Sequence, residues 1–487
     1  MKPTLQEFLS MTAHRRVPLY QELYADSYTP VEVLRMLKRV SSHCFLLESV
    51  EDNHKWGRYS FLGYDPSMEV VCRGGCLQIR SGQKIIQEVV SHPKEVLKEL
   101  TAKYRTAVLP GLPTFTGGLV GYFSYDYIRY GEPVLQNHRW KEADFRDMDL
   151  MLFDRVIAFD HDRQKLFLIA GADPSGGEAA YEEAKRQLLV MQQLLMKGQK
   201  ALIPPLRLKG PLSPAFSKER YCQMVERAKE YIREGDIFQV VLSNPLKAEA
   251  EGSLLDTYRI LRTLNPSPYM FYFSGDDMEI AGASPETLVK LEDGRLSTFP
   301  LAGTRARGRN EAEDQALEDE LLADEKERAE HNMLVDLGRN DLGKISQIGS
   351  VKVEQYLTVR RYSHVMHIAS TVTGKIQSGK EAADAVDAVL PAGTLSGAPK
   401  VRACQIIDEL EGDTRGLYGG AVGYLDFTGN MDLCIAIRMA YMRGGSVCVR
   451  AGAGIVSDSV PEKEFRECQN KAMAMVRALE AAQGGLE

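Results

Sequence analysis

AGAGIVSDSVPEKEFRE, residues 451–467, passes from glycine turn to apolar strand end to helix start within a single short stretch. Gly452-Ala453-Gly454 reads as a tight turn, and Ile455-Val456 as the end of a strand. Ser459-Val460-Pro461-Glu462 reads as a capping box that opens a helix, with proline in the first turn. Glu464 and Glu467 are spaced i,i+3 and so share one helix face. Backbone N–H groups beside bare glycines suit an anionic oxygen, and paired carboxylates suit a divalent cation. The stretch therefore predicts a strand-to-helix junction that holds a carboxylate substrate together with a metal.

The same alternation of element types runs along the chain. Residues 31–40, 178–197 and 218–232 keep the helical period, the last opened by a Ser217 cap. Apolar runs predict strands at 44–49, 58–63, 117–122, 148–160, 165–170, 237–242, 365–372, 421–424, 434–439 and 447–449. Asp293-Gly294 between residues 286–291 and 296–301 is a hairpin signal. Many strands with clustered helices predict an α+β fold, with large mixed or antiparallel β-sheets forming a two-lobed sandwich and helices packed outside. The proline-rich connector 201–216 divides an N-terminal region, 1–200, from a second region, 212–487, closely packed against it.

Of the 487 residues, 44% are hydrophobic and 26% charged, the profile of an ordinary globular chain. The net charge of −7 argues against nucleic acid as a partner. No run of about 18 apolar residues predicts a membrane span, and the N-terminus lacks an apolar signal core. The eight cysteines form no CxxC or Cys/His cluster. Free thiols in a reducing cytoplasm are the expectation, with no zinc site.

Several further positions carry groups suited to chemistry. Residues 310–338 form a long acidic helical tract in which Glu327 and Glu330 are again i,i+3, a second metal arm or a solvated acidic face. In PLAGTRARG, residues 300–308, Gly303 and Thr304 offer a backbone N–H and a hydroxyl at a strand end beside two arginines. Arg438 sits in the apolar strand 434–439, where its charge requires a salt bridge or a substrate carboxylate. PAGTLSGAPK, residues 391–400, reads as an anion-cradling loop or a capped turn, and Tyr418 offers a phenol ahead of a strand. Glu286, after the rigid Ser284-Pro285 turn, and His367, on the strand face opposite His364, are the candidate proton-transfer groups. Gln239 is the one polar residue in the strand 237–242.

These motifs, in this order, resemble the chorismate-utilising enzymes, and within them anthranilate synthase component I. The resemblance rests on PLAGTRARG, AEHNMLVDLGRNDLGKI (329–345), YSHVMH (362–367), PAGTLSGAPK, YGGAVGY (418–424) and AGAGIVSDSVPEKEFRE. It implies a Mg²⁺-dependent amino-lyase. Ammonia would add to chorismate as its ring hydroxyl leaves, and pyruvate would then be eliminated. It further implies Mg²⁺ on Glu330 and Glu467, with Glu327 and Glu464 auxiliary. Chorismate would be held by Gly303, Thr304, Tyr418, Arg438, Gly452, Ala453 and Gly454. Glu286 would act as general acid, His367 would assist elimination, and Thr394 would orient the reacting groups.

Two positions discriminate among members. Where hydrating relatives carry a water-activating lysine, this chain has Gln239, and an amide is no base at neutral pH. Where aminodeoxychorismate synthases carry a nucleophilic lysine, this chain has Ala302. Both favour anthranilate as product, the first step committed to tryptophan biosynthesis, with aminodeoxychorismate synthase component I of the folate pathway as the alternative. A catalytically silent amino-acid sensor is the alternative of another class, and the intact Glu330, Glu467, Arg438 and His367 oppose it. LLES, with Leu47, Glu48 and Ser49, and NPSPYM, with Pro268, Tyr269 and Met270, resemble the family's tryptophan-binding strips, so feedback inhibition by L-tryptophan is implied. No glutamine amidotransferase motif is present, so ammonia is expected from a separate glutaminase subunit, in a heterotetramer.

Overall fold

The computed structural model describes residues 1–49, 57–137, 140, 143–361 and 365–486. Among these residues the strands form two large sheets, of 13 and 12 strands, whose ladders are antiparallel. Both sheets mix strands from before residue 200 and after residue 212. In the first sheet Cys44–Glu48 pairs with Tyr269–Ser274, and in the second Gly118–Phe123 pairs with Ala421–Asp426. The expected α+β sandwich with helices outside is what the chain forms.

Alternation of side chains along each strand explains the layers. In Cys44–Glu48, Cys44 and Leu46 join a core under the helices, whereas Phe45 and Leu47 face the core between the two sheets. The outer core is closed by Pro30–Val40, Gly177–Lys197, Lys218–Arg233, Leu255–Leu264 and Pro461–Ala481. Ser217 caps its helix as expected, accepting from the Arg220 N–H at 3.3 Å. Asp293, at φ 50°, and Gly294 turn the hairpin between Thr287–Glu292 and Arg295–Thr298.

Several expectations are corrected. The acidic tract is two helices, Glu311–Ala323 and Glu325–Gly343, because Asp324 leaves helical geometry and caps the second through the Lys326 and Glu327 N–H groups. The strand expected at 237–242 runs over Gln239–Glu251 and pairs with Ser446–Ile455. Gly452-Ala453-Gly454 is therefore extended strand and not a turn. Residues 301–306, expected as a strand end and turn, are a strand, Leu301–Ala306, paired with Val365–Lys375 and bulged at Gly303. The helix after residue 460 begins at Pro461, but no capping box forms. Ser459 turns back instead, its Oγ accepting from the Val456 N–H at 3.1 Å. His364, expected on the face opposite His367, lies outside the described residues.

Candidate active site

The long ladder between Gln239–Glu251 and Ser446–Ile455 forms the floor of a cleft of about 830 Å³. Gly452 and Gly454 line it, and neither position has room for a Cβ. At Gly452 a Cβ would come within 2.6 Å of the Leu242 carbonyl and 2.9 Å of the Tyr418 hydroxyl. At Gly454 it would come within 2.6 Å of Gln239 Nε2. Ala453 points the other way, fully buried in the outer core. It does not line the cleft, as strand alternation requires.

The cleft gathers Glu286, Thr304, Glu330, His367, Thr394, Tyr418, Arg438, Glu464 and Glu467, contributed by segments far apart in sequence. Gln239 and Ala302, the two discriminating positions, line it as well. Thr394 Oγ1 donates to Glu286 Oε1 at 3.1 Å. Burial of the Glu286 carboxyl outweighs that hydrogen bond and the Lys471 charge, and pushes its pKa up to about 7. A carboxyl held there keeps a proton to give at neutral pH.

His367 Nδ1 lies 2.9 Å from the Gly303 carbonyl and 3.0 Å from Thr304 Oγ1. A carbonyl only accepts, so Nδ1 carries the proton and Nε2 the lone pair. Burial lowers the pKa of this ring, favouring the neutral form. Gly303 thus sits behind the cleft and acts through its carbonyl. Its φ of 65° and the approach of Glu327 Oε2, 3.1 Å from an added Cβ, suit glycine.

Arg438 is not in a strand. Met431–Ile435 ends before it and Met439–Arg443 begins after it, and Arg438 itself is left-handed at φ 51°. Such a backbone costs about 1–3 kcal/mol in a residue with a side chain, and positions of this kind cluster at functional sites. Its Nη1 donates to the Lys471 carbonyl at 3.0 Å, and no carboxylate pairs with it among the described residues. Burial lowers its pKa, so the site gains by receiving an anion.

The helices Glu325–Gly343 and Pro461–Ala481 both bring carboxylates to the cleft. Glu330 is raised by burial and by the like charges of Glu327 and Glu467, and Glu464 by burial and Glu467. Glu467 is paired with Lys471 at 2.7 Å. Among the described residues no three potential ligands converge ready to hold a metal. A cation here would rest on carboxylates from two helices and complete its shell with water and substrate oxygens, a donor set that suits Mg²⁺. Glu327 does not line the cleft and pairs with Arg305 at 3.4 Å. The arginines of 300–308 are not free for an anion. Arg305 is shared among Glu320, Asp324 and Glu327, and Arg307 is paired with Asp314. Lys400, at the end of the expected anion loop, is paired with Asp341 at 2.9 Å.

A second pocket, of about 540 Å³, opens between the sheets and brings together Leu47, Glu48, Ser49, Pro268, Tyr269 and Met270. The Glu48 carboxylate is already held by Arg262 at 2.6 Å and by Tyr258. Ser49 Oγ is buried with no partner among the described residues. Arg58, Tyr424 and Asp432 also line this pocket. Their place in this pocket was not legible in the sequence, since Arg58 precedes the strand Tyr59–Tyr64 while Tyr424 and Asp432 come from Ala421–Asp426 and Met431–Ile435.

Among the described residues no helix is long and apolar enough to cross a membrane. The profile of chorismate binding enzymes matches residues 43–477. Anthranilate synthase component 1 of Acetivibrio thermocellus is 46% identical over 489 residues, covering 99% of both chains. That of Aquifex aeolicus is 44% identical, covering 97% of this chain and 96% of its own. The crystal structure of anthranilate synthase component I from Streptococcus pneumoniae superposes with a TM-score of 0.74 at 38% identity, over 86% of this chain and 92% of that one. A menaquinone-specific isochorismate synthase from Escherichia coli shares the fold, with a TM-score of 0.70 at 20% identity over 98% of each chain. With its sequence matched nearly end to end by these relatives, the chain belongs to the chorismate-binding enzymes, in the anthranilate synthase component 1 family.

Proposed function

We propose that the chain converts chorismate and ammonia to anthranilate and pyruvate, as a lyase, with Mg²⁺ as cofactor. The observation that carries this reading is the Glu286–Thr394 pair, a carboxyl with a pKa of about 7 set into a cleft whose other walls supply the opposing carboxylates and an arginine without a carboxylate partner. Arg438 and Tyr418, with the cleft-lining backbone of Gly452 and Gly454, would bind and orient the substrate's carboxylates. Glu330 and Glu467 would hold Mg²⁺, aided by Glu464, and the cation would neutralise the ring carboxylate. Glu327 serves better as a brace, since Arg305 holds it.

Glu286 then gives its proton to the departing ring hydroxyl while ammonia adds to the ring, with Thr394 fixing the carboxyl's direction. Neutral His367, its lone pair on Nε2, takes part in the proton transfers of pyruvate elimination. Gln239 has no basic nitrogen to activate water and Ala302 no nucleophile. Both absences favour direct amination over hydration or a covalent intermediate. Ammonia would come from a glutaminase subunit in a heterotetramer, consistent with the name "component 1" carried by the relatives. The second pocket would take L-tryptophan as feedback inhibitor, supported by its six expected residues and the unpartnered Ser49 hydroxyl.

Incubating the protein with chorismate, Mg²⁺ and ammonium tests the reading. Anthranilate fluorescence and equimolar pyruvate are expected. An aminated product that retains its enolpyruvyl group would instead support aminodeoxychorismate synthase.

A further inference from the structure

Glu286 lies where the chain leaves one sheet for the other. Met278–Ser284 belongs to the first sheet and Thr287–Glu292 to the second, with only Pro285 and Glu286 between them. At this crossing the sheets are tied by side chains. Tyr269, on the first sheet and register partner of Ser284, places its hydroxyl 2.9 Å from Thr287 Oγ1 and donates to Asp432 Oδ1 at 2.8 Å. Thr287 and Asp432 are on neighbouring strands of the second sheet, and the ladder shifts register between Thr287 and Val289.

The same crossing has two sides. Tyr269 and Asp432 line the second pocket, but Thr287 does not. Thr287 instead lines a small cavity together with Glu286 and Thr394. Its backbone is joined directly to Glu286, whose carbonyl accepts from the Ile435 N–H at 3.0 Å. A ligand that draws on the Tyr269 hydroxyl, or on the Asp432 carboxylate that accepts from it, competes with the contact that holds the Thr287 hydroxyl. A bulged strand is a ready place for backbone to shift once such a tie is loosened. A small shift at Thr287 changes the distance of Glu286 from Thr394.

We propose that the Thr287 hydroxyl is a positioning group that couples the second pocket to Glu286, through its hydrogen bond to Tyr269. This rests on the reading of that pocket as an inhibitor site. Coupling of this kind requires the ligand to favour one arrangement of the bridge over the other, and it acts reciprocally on chorismate and inhibitor.

Thr287→Val removes the hydroxyl and keeps the shape, and Thr287→Ser keeps the hydroxyl. Tryptophan binding is measured by calorimetry, and chorismate turnover is titrated with tryptophan, for the parent and both variants. For Thr287→Val the expected result is a tryptophan Kd within about twofold of the parent, with the tryptophan-induced change in chorismate KM reduced by about tenfold, inside the range of ordinary allosteric couplings. Thr287→Ser should retain the parent's response. Parent-like inhibition of Thr287→Val overturns the proposal. So does loss of tryptophan binding in Thr287→Val while Thr287→Ser binds normally, because Thr287 would then be part of the binding site. If the parent itself binds no tryptophan, the inhibitor reading of the pocket fails first, and the coupling falls with it.

Discussion

At the scale of single residues, the cleft depends on where protons sit. Glu286 is the group whose environment departs most usefully from solution, since burial raises its pKa to about 7. The acid form is the active one in the proposed step. Turnover should therefore hold below pH 7 and fall about tenfold per pH unit above it, as the carboxyl ionises. The measurement is kcat against pH at constant free ammonia, so that the rising NH₃ fraction does not mask the limb. Glu286→Gln should lose about 10²–10⁴-fold in kcat and also lose that alkaline limb. A variant that keeps the limb would assign it to another group. Side-chain identity made Glu286, His367 and Thr394 legible in the sequence, as it did Gln239 and Ala302. Backbone direction was not legible in the same way. Ala453 looked equivalent to its glycine neighbours until strand alternation turned it inward, and nothing in the residue type of Arg438 announces a φ of 51°.

Between elements, the floor of the cleft is fastened by a buried charge network in which Arg450, itself a floor residue, takes part. Glu411, at the end of the helix Lys400–Glu411, is fully buried, and both Arg415 and Arg450 pair with it. Arg415 also donates at 2.6 Å to the carbonyls of Leu395 and Val241, the neighbour of Thr394 and a floor-strand residue. The Ser243 N–H and hydroxyl complete the carboxylate's bonds. Despite full burial, the two guanidinium charges hold the Glu411 carboxyl below its ordinary pKa. Glu411→Gln would leave two buried guanidiniums without their anion, a loss of about 3–5 kcal/mol in comparable cases. The check is a chemical-denaturation midpoint, expected to fall with an unchanged slope. A shift under about 1 kcal/mol, the level of an exposed pair, would refute the network's structural weight. The helix ends where Gly412 supplies a left-handed cap. The network was not legible, because its members come from a helix, a turn and two strands.

At the scale of the molecule, sequence separation and spatial separation part company. The connector suggested two regions joined by a linker, and composition alone carries no record of which strands pair. Yet Cys44–Glu48 is hydrogen-bonded between Tyr59–Tyr64 and Tyr269–Ser274, and Gly118–Phe123 between Ala421–Asp426 and Met148–Phe153. Either half taken alone would expose long strand edges and one face of the inter-sheet core, a state prone to aggregation. The second pocket would also be split, since Leu47 to Ser49 and Pro268 to Met270 come from opposite sides of the connector. We therefore propose that the two regions fold as one cooperative unit. Gly210 offers a place to test this, since the chain there is exposed and an added Cβ would meet nothing. Residues 1–210 and 211–487 expressed separately should be insoluble or lack a cooperative melting transition. Expressed together, they should assemble into a particle that turns over chorismate and melts in one step. If residues 211–487 alone were soluble, cooperatively folded and active, the inter-sheet pairing would not be needed to build the cleft, and the single-unit reading would be wrong.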